Sequence, residues 1–435
     1  MTDWTSDANE ALTLSLVRSQ EDKEALAENE SYIEFHPNFT YPIYGEDEKI
    51  YGYNDLVIDL RFASGSLAQY LSVKYSEKLG SSSTVDDVEG TLAGFIPSDY
   101  YKDERAFLKR VAEEAVSFQP TGQLISSYTR PSPLAASKGK GKGVERMQNL
   151  DPGSVDTIEF EVYHHKATWN TPGFREYHRR MQLFILLYIE AGTYINEEDE
   201  VWEFVLLQRK RRASPHLATY HFVGYSSLYP FYHFPEKVRL RLSQFVILTP
   251  YQRHGHGSEL YNAIYQYVIR RSDVAELTVE DPAEAFEDLR DKNDLKMLLA
   301  NEQFMQEGFG GEVSHGGGRV GGVGRTGKSG RGGTGISTKG KMGPPADKAW
   351  VEKWRKDLKI AGRQFQRLVE MLILLRLDAS DARGLRAYRL QVKERLYRFN
   401  FEILAQLEKD ERHEKLEETF QTVKEDYHRL LALVH

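Results

Sequence analysis

The segment that most restricts the fold is RLSQFVILTPYQRHGHGSELYNAIYQYVIRR, residues 241–271. Its first part, RLSQFVILTP, is a nearly continuous apolar run of strand length, as expected of a central strand covered on both faces. Its last part, ELYNAIYQYVIRR, carries apolar residues at helical spacing. Between them there is room only for a tight turn, Gln252, Arg253, His254, Gly255, His256, Gly257 and Ser258. Strand, glycine turn and helix in immediate succession aim successive backbone N–H groups into one concavity, and the helix dipole adds positive potential there. Gly255 and Gly257 remove side chains where a diphosphate would have to approach closely. The plainer alternative is a glycine turn with no ligand. His254 and His256 raise the question of a metal, but no third ligand stands at convincing spacing, so no metal is expected.

A second glycine motif competes. GVGRTGKS, residues 322–329, matches the phosphate-binding loop of ATPases and GTPases letter for letter. That loop needs a buried strand before it and a helix after it. Here the flanks are GGGRVG and GRGGTGIS, which can form neither. Sixteen of the 34 glycines fall between 308 and 343, so a chance match is unsurprising. A segment this poor in apolar residues is expected to be disordered, and nucleotide hydrolysis is set aside.

With 435 residues the chain exceeds one ordinary core. An α+β fold in four parts is expected: an N-terminal α/β domain, 1–153, with a flexible loop at 130–153; a denser central domain, 154–307; a Gly-rich insertion, 308–346; and a helical region, 347–435. LVIDLRF should be a strand with alternating faces, and DERAFLKRVAEEAVSF a helix. FREYHRRMQLFILLYIEAG should be one helix ending at Gly192, and KRRASPH a basic loop joining two strands. A net charge of -8 favours a cationic partner over nucleic acid. The N-terminus lacks a secretory pattern, and LFILLYI, 183–189, is too short to span a membrane, so a soluble intracellular protein is expected. The absence of cysteine excludes a covalent thioester on the protein, a disulfide framework and thiolate zinc sites.

The spacing Gln-x-x-Gly-x-Gly between strand and helix is the acetyl-CoA signature of the GNAT acetyltransferases. RMQLFILLYIEAG, SQFVILTPYQRHGHGSELYNAIY, LTVEDPAEAFEDLRD, FTYPIYGEDEKIYGY, VDDVEG, GFREYHRRMQ and YRLQVKERLYRFNFEILAQL together resemble the type B histone acetyltransferase family in what looks like its fungal form. The resemblance covers most of the chain except 130–150 and 308–347. It implies a GNAT core, a mixed and mostly antiparallel sheet with flanking helices, between the N-terminal domain and the helical region. It places acetyl-CoA on Phe245, Val246 and Ile247 of the central strand, through their backbone groups, and on Gln252 to Ser258. A further family contact is often Ser or Asn but here is Ala283, which has no hydrogen-bonding side chain. The family base matches Glu280, with Asp281 and Glu190 as further catalytic acids. Tail-contacting segments match Glu46, Asp47 and Glu48, and Tyr229, Pro230 and Phe231.

A substrate lysine arrives as an ammonium at neutral pH, so a base must take its proton. A carboxylate beside apolar residues, as expected of Glu280, has its pKa raised. Without cysteine, direct attack of the amine on bound acetyl-CoA is the simplest route, and a backbone N–H near Val246 or Ile247 can polarise the thioester oxygen. Each acid has a plainer reading: Asp281 as a helix cap before Pro282, Glu190 as a helix-end acid, Glu46 to Glu48 as a solvated turn. The resemblance implies histone H4 as substrate, through its N-terminal tail and with histone H3, a WD-repeat histone-binding subunit as partner, and a cytoplasmic and nuclear protein. It also implies roles in chromatin regulation, DNA repair and telomeric silencing. The alternatives are a GNAT enzyme for another protein or a small amine, and a non-enzymatic histone scaffold. GKSGRGGTGISTKGKMG and SKGKGKG themselves read like histone tail, either as a pseudosubstrate or self-acetylation site or as an inert insertion.

Overall fold

The computed structural model describes residues 4–26, 30–80, 85–131, 151, 157–166, 168–214, 217–310 and 340–434. The chain forms two compact units, residues 1–273 and 274–435.

In the first unit, strand β1 (Leu12–Val17) lies parallel to β2 (Val57–Ala63), which pairs antiparallel with β3 (Gln69–Lys74). β2 is the middle strand and does not alternate as expected: Ile58, Asp59, Leu60, Phe62 and Ala63 are all buried. A central parallel strand is covered on both faces, which erases the period of two. Helix α1 (Glu104–Ser117) starts where Asp103 accepts the Ala106 N–H at 2.9 Å. Phe107 and Val111, one turn apart, then pack with Val17, Ala63 and Tyr70.

An antiparallel sheet follows, built from β4 (Gln123–Pro131), β5 (Thr157–His165), β6 (Glu203–Ser214), β7 (Leu217–His233) and β8 (Lys237–Ile247), neighbours in that order. The expected basic loop is a correction: Lys210, Arg211 and Arg212 lie within β6, paired with Tyr220, Thr219 and Ala218 of β7. The expected single helix is two, α2 (Phe174–Met181) and α3 (Leu183–Tyr188), with Gln182 between them. Leu183 to Leu187 are all buried, so α3 is a core helix with no solvent face.

The two sheets share one interior. Phe62 of β2 meets Phe184 of α3 at 4.8 Å between ring centres, and Phe184 stacks on Phe222 of β7 at 6.1 Å. The Phe222 N–H donates to the Ser64 carbonyl at 2.7 Å, and Ser64 Oγ lies 2.8 Å from His221 Nδ1. Residues on both sides of 153 therefore bury each other, so this compact unit crosses the boundary expected there.

The second unit holds strand β9 (Val274–Val279) and helices α4 (Glu284–Ala300), α5 (Lys348–Asp357), α6 (Gly362–Arg376), α7 (Ala382–Phe399) and α8 (Lys409–Ala432), with shorter helices between. α6 is the hub, with Phe365, Leu368, Met371 and Leu372 wholly buried. Its Glu370 binds Arg395 of α7 at 2.8 Å and accepts from Tyr427 of α8 at 2.7 Å, while its Arg367 binds Asp291 of α4 at 2.8 Å. The Gly-rich insertion is ordered at both ends, contrary to expectation. Gly308 lies in the last turn of a helix, Glu302–Phe309, capped by Gly310; Met342, 1% exposed, donates its N–H to the Gly308 carbonyl at 2.7 Å. Residues 311–339, with GVGRTGKS and most of the tail-like sequence, lie outside the described residues, as does SKGKGKG. No described helix is long and apolar enough to cross a membrane.

Candidate active site

The glycine turn grows out of β8. The strand buries Leu240, Leu242, Gln244 and Val246 on one face, while Ser243, Phe245 and Ile247 on the other are only half-buried. This corrects the expectation of a strand covered on both faces. Ser243 is the extra residue of a bulge, because Ser227 pairs with Gln244 and Leu228 with Leu242. Leu248 still bonds to the Val223 carbonyl at 2.9 Å, and a single 3-10 turn, Thr249–Tyr251, takes the chain off the sheet.

Gln252 folds back, its Nε2 donating to the Ile247 carbonyl at 2.9 Å. Arg253 at φ 63 and Gly255 at φ 82 are both left-handed, and a helix spans His256–Arg270. The turn must reverse within four residues, and two left-handed positions achieve it. Gln252 to Gly255 are exposed, and Gly255 caps the helix without a side chain. The first turn of a helix has backbone N–H groups with no intrahelical acceptor, and here they follow directly on the exposed turn. An anion is the natural occupant.

The loop is held from beneath by residues far away in sequence. Tyr251, 3% exposed, packs on Tyr32 at 5.1 Å and accepts a hydrogen bond from Arg18 Nη2 at 2.9 Å. His256 is 5% exposed, with Nδ1 2.7 Å from the hydroxyl of Tyr128 on β4. Burial, aided by Arg130 and His254, pushes its imidazole down to about 3. Its side chain is thus part of the core. His254 is exposed, and among the described residues no group of three His, Asp or Glu is placed to hold a metal.

The candidate acids fare differently. Glu48, at φ 50, turns inward: Oε1 accepts the N–H groups of Thr40, at 2.6 Å, and Tyr41, at 3.1 Å, and Oε2 that of Asn9 Nδ2 at 2.8 Å. Of the acidic run, Glu46 and Asp47 are exposed. Glu190 is exposed in the turn after α3, which ends at Tyr188, short of the end expected at Gly192. The Tyr41 hydroxyl accepts the Ala191 N–H at 2.6 Å, so the Glu48 and Glu190 segments meet through Tyr41. In the second unit Glu280 and Asp281 follow β9 and are exposed, so the burial among apolar residues expected of Glu280 is not found. Asp281 is not the helix cap either: α4 begins at Glu284, Ala283 is its N-cap, and Asp281 sits at φ 31.

Tyr229 of β7 donates to Asp199 Oδ2 at 2.9 Å, its ring 4.8 Å from Trp202 and 4.7 Å from Phe231, over which Arg241 lies at 4.2 Å. Pro230, between them, is half-buried opposite Leu240. The sequence reading missed Trp202 and the acidic run Glu197 to Glu200 beside it; the density of charge there was the available signal. It also missed Arg18, Tyr128 and Tyr251, for which no local pattern exists.

Residues 4–190 match the family described as Histone acetyl transferase HAT1 N-terminus, residues 181–286 the Acetyltransferase (GNAT) family, and residues 334–378 the family Fungal HAT1, C-terminal. The histone acetyltransferase type B catalytic subunit of Cryptococcus neoformans is 48% identical, over 99% of this chain and 98% of its own. That of Mycosarcoma maydis is 41% identical over 98% and 87%, and that of Candida albicans 31% identical over 99% and 90%. GNAT acetyltransferases use acetyl-CoA, and the loop from Gln252 to Ser258 lies inside the matched GNAT segment. With its α+β fold, its GNAT domain and its helical C-terminal region, the chain belongs to the type B histone acetyltransferase catalytic subunits, enzymes that acetylate histones.

Proposed function

We propose that the chain transfers acetyl from acetyl-CoA to lysines in the N-terminal tail of newly synthesised, free histone H4, by direct attack in a ternary complex. The observation that carries the cofactor half is the exposed turn Gln252–Gly255 running into the helix at His256, with Gly255 left-handed. The diphosphate of acetyl-CoA would lie on the N–H groups of this turn, where dipole and donors both favour an anion. The half-covered face of β8, with Phe245 and Ile247, suits the pantetheine arm, and backbone groups of Phe245, Val246 and Ile247 suit its amides.

For the substrate half, the support is a cationic peptide's natural complement: the exposed acids Glu46, Asp47 and Glu190, and the aromatic group Trp202, Tyr229 and Phe231. Glu280 acts as the general base, directly or through a water, and Asp281 assists it. With no cysteine, the carboxylate takes one proton from the lysine ammonium, the free amine attacks the thioester carbon, the carbon–sulfur bond breaks, and the second proton lost by the nitrogen passes to the leaving sulfur, so coenzyme A departs as the thiol. General-base assistance is typically worth ~10²–10⁴-fold. Histone H3 accompanies H4, a WD-repeat subunit presents them, and the enzyme works in cytoplasm and nucleus.

The test is mass spectrometry of H4-tail peptides and polyamines incubated with acetyl-CoA and either wild type or Glu280→Gln. Acetylated tail lysines with wild type, and a loss of about 10²-fold or more in kcat for the variant, are expected. Acetylation of polyamine with untouched peptide would overturn the substrate; unchanged kcat would overturn the base.

A further inference from the structure

The loop presents a physical problem. Gly255 has no side chain to cap the helix, the residues before it are exposed, and yet the first-turn N–H groups must hold one direction to bind an anion well. Something else has to fix the helix end. Strand β4 (Gln123–Pro131) does so at two points. Tyr128 Oη lies 2.7 Å from His256 Nδ1, and Arg130 Nη2 donates to Glu259 Oε1 at 2.6 Å. His256 and Glu259 are three residues apart, on one face of the helix and within its first turn. Tethers at both prevent the helix end from rolling about its axis.

The tethers are themselves rigid. Tyr128, 7% exposed, stacks almost parallel on Phe160 of β5, at 5.1 Å and 8°, and Phe160 also touches the His256 ring, at 4.4 Å. The Arg130 guanidinium covers the Tyr128 ring at 4.6 Å. Each ring is therefore held by packing before any hydrogen bond is counted.

We propose that Tyr128 is a positioning residue for the cofactor: its phenol holds the imidazole of His256 and so fixes the first helical turn in the direction the diphosphate requires. This rests on the reading that Gln252–Ser258 holds the diphosphate of acetyl-CoA. The tautomer of the neutral imidazole that carries its proton on Nε2 is the one that accepts the phenol O–H at Nδ1, across the 2.7 Å contact. Tyr128 touches neither the cofactor nor the lysine in this reading, and acts through His256 alone. An end fixed in advance loses less freedom when the ligand binds, so the effect belongs to cofactor affinity and not to the chemical step.

Tyr128→Phe keeps the ring and its stacking and removes only the hydroxyl. In the full chain, KM for acetyl-CoA is expected to rise about tenfold, the worth of one hydrogen bond, with kcat and KM for an H4-tail peptide within about twofold. Inhibition by coenzyme A should weaken by the same factor, whereas inhibition by pantetheine, which lacks the diphosphate, should not change. His256→Asn, which keeps an acceptor near the Nδ1 position, should stay closer to wild type than His256→Leu, which removes it. An unchanged acetyl-CoA KM in folded Tyr128→Phe, or weakening shared equally by pantetheine, overturns the proposal. If Tyr128→Phe does not fold, equal acetyl-CoA KM values for the two His256 variants overturn it. Failure of wild type itself to bind coenzyme A would instead sink the reading of the loop.

Discussion

Arg18 and Tyr251, 233 residues apart, share a buried hydrogen bond of 2.9 Å that joins the end of β1 to the residue before the turn Gln252–Gly255. Arg18 is 3% exposed and lies over the Tyr32 ring at 3.8 Å. Tyr251→Phe would leave a guanidinium N–H in the core without its acceptor, at a cost of about 1–3 kcal/mol. Urea unfolding should show that loss, and Arg18→Met in the same chain should recover part of it, because removing both polar partners is milder than removing one. A double variant as unstable as the sum of the singles would refute the coupling.

Gly255 adopts φ 82. Gly255→Ala should cost on the order of 1–2 kcal/mol through left-handed strain and raise KM for acetyl-CoA. Isothermal titration with coenzyme A checks this. Binding as tight as wild type would show that the turn does not need its present shape.

Acid should weaken the first unit through its buried histidines. Burial, with His164 adding, lowers His165 to about 4; burial, with Arg130 adding, lowers His256 to about 3. Burial also lowers His178 and His221. Unfolded, each takes up a proton near 6.5, so the unfolded state binds more protons between that value and the folded one. The stability these groups contribute is full above about pH 6.5 and is lost as pH falls towards the folded values, by up to about 1.4 kcal/mol per pH unit for each. Urea midpoints at pH 7.5 and 5.0 should differ in that direction, and His256→Asn should shrink the difference. A midpoint that rises on acidification would contradict the assignment.

The two glycines that close the insertion are not equivalent. A Cβ on Gly340 would come within 2.2 Å of the Gly308 carbonyl oxygen and 2.3 Å of the Phe309 carbonyl carbon, which are backbone. One on Gly308 would meet the tip of Met342, at 2.7 Å, which can turn aside. Gly340→Ala should therefore destabilise the second unit by about 1–3 kcal/mol, and Gly308→Ala by less. Thermal unfolding of the two variants decides it, and equal losses would rule out the backbone clash as the cause.

What the sequence determined by itself is local. Helix α1 is legible because Asp103, Phe107 and Val111 write cap and buried face in one short run. The turn from Gln252 to Ser258 is legible because strand, glycines and helix are contiguous, and a motif of that kind needs no distant partner. The family resemblance added residues, such as Glu280, whose periodicity carries no chemistry. Tertiary structure decided the rest. It made β2 a strand covered on both faces, turned Glu48 inward to cap Thr40 and Tyr41, exposed Glu280, and put His256 under the loop against Tyr128. Burial and hydrogen-bond partnership are properties of pairs of segments. Where the two members lie more than a hundred residues apart, as Tyr128 and His256 do, neither carries in its own neighbourhood any mark of the other.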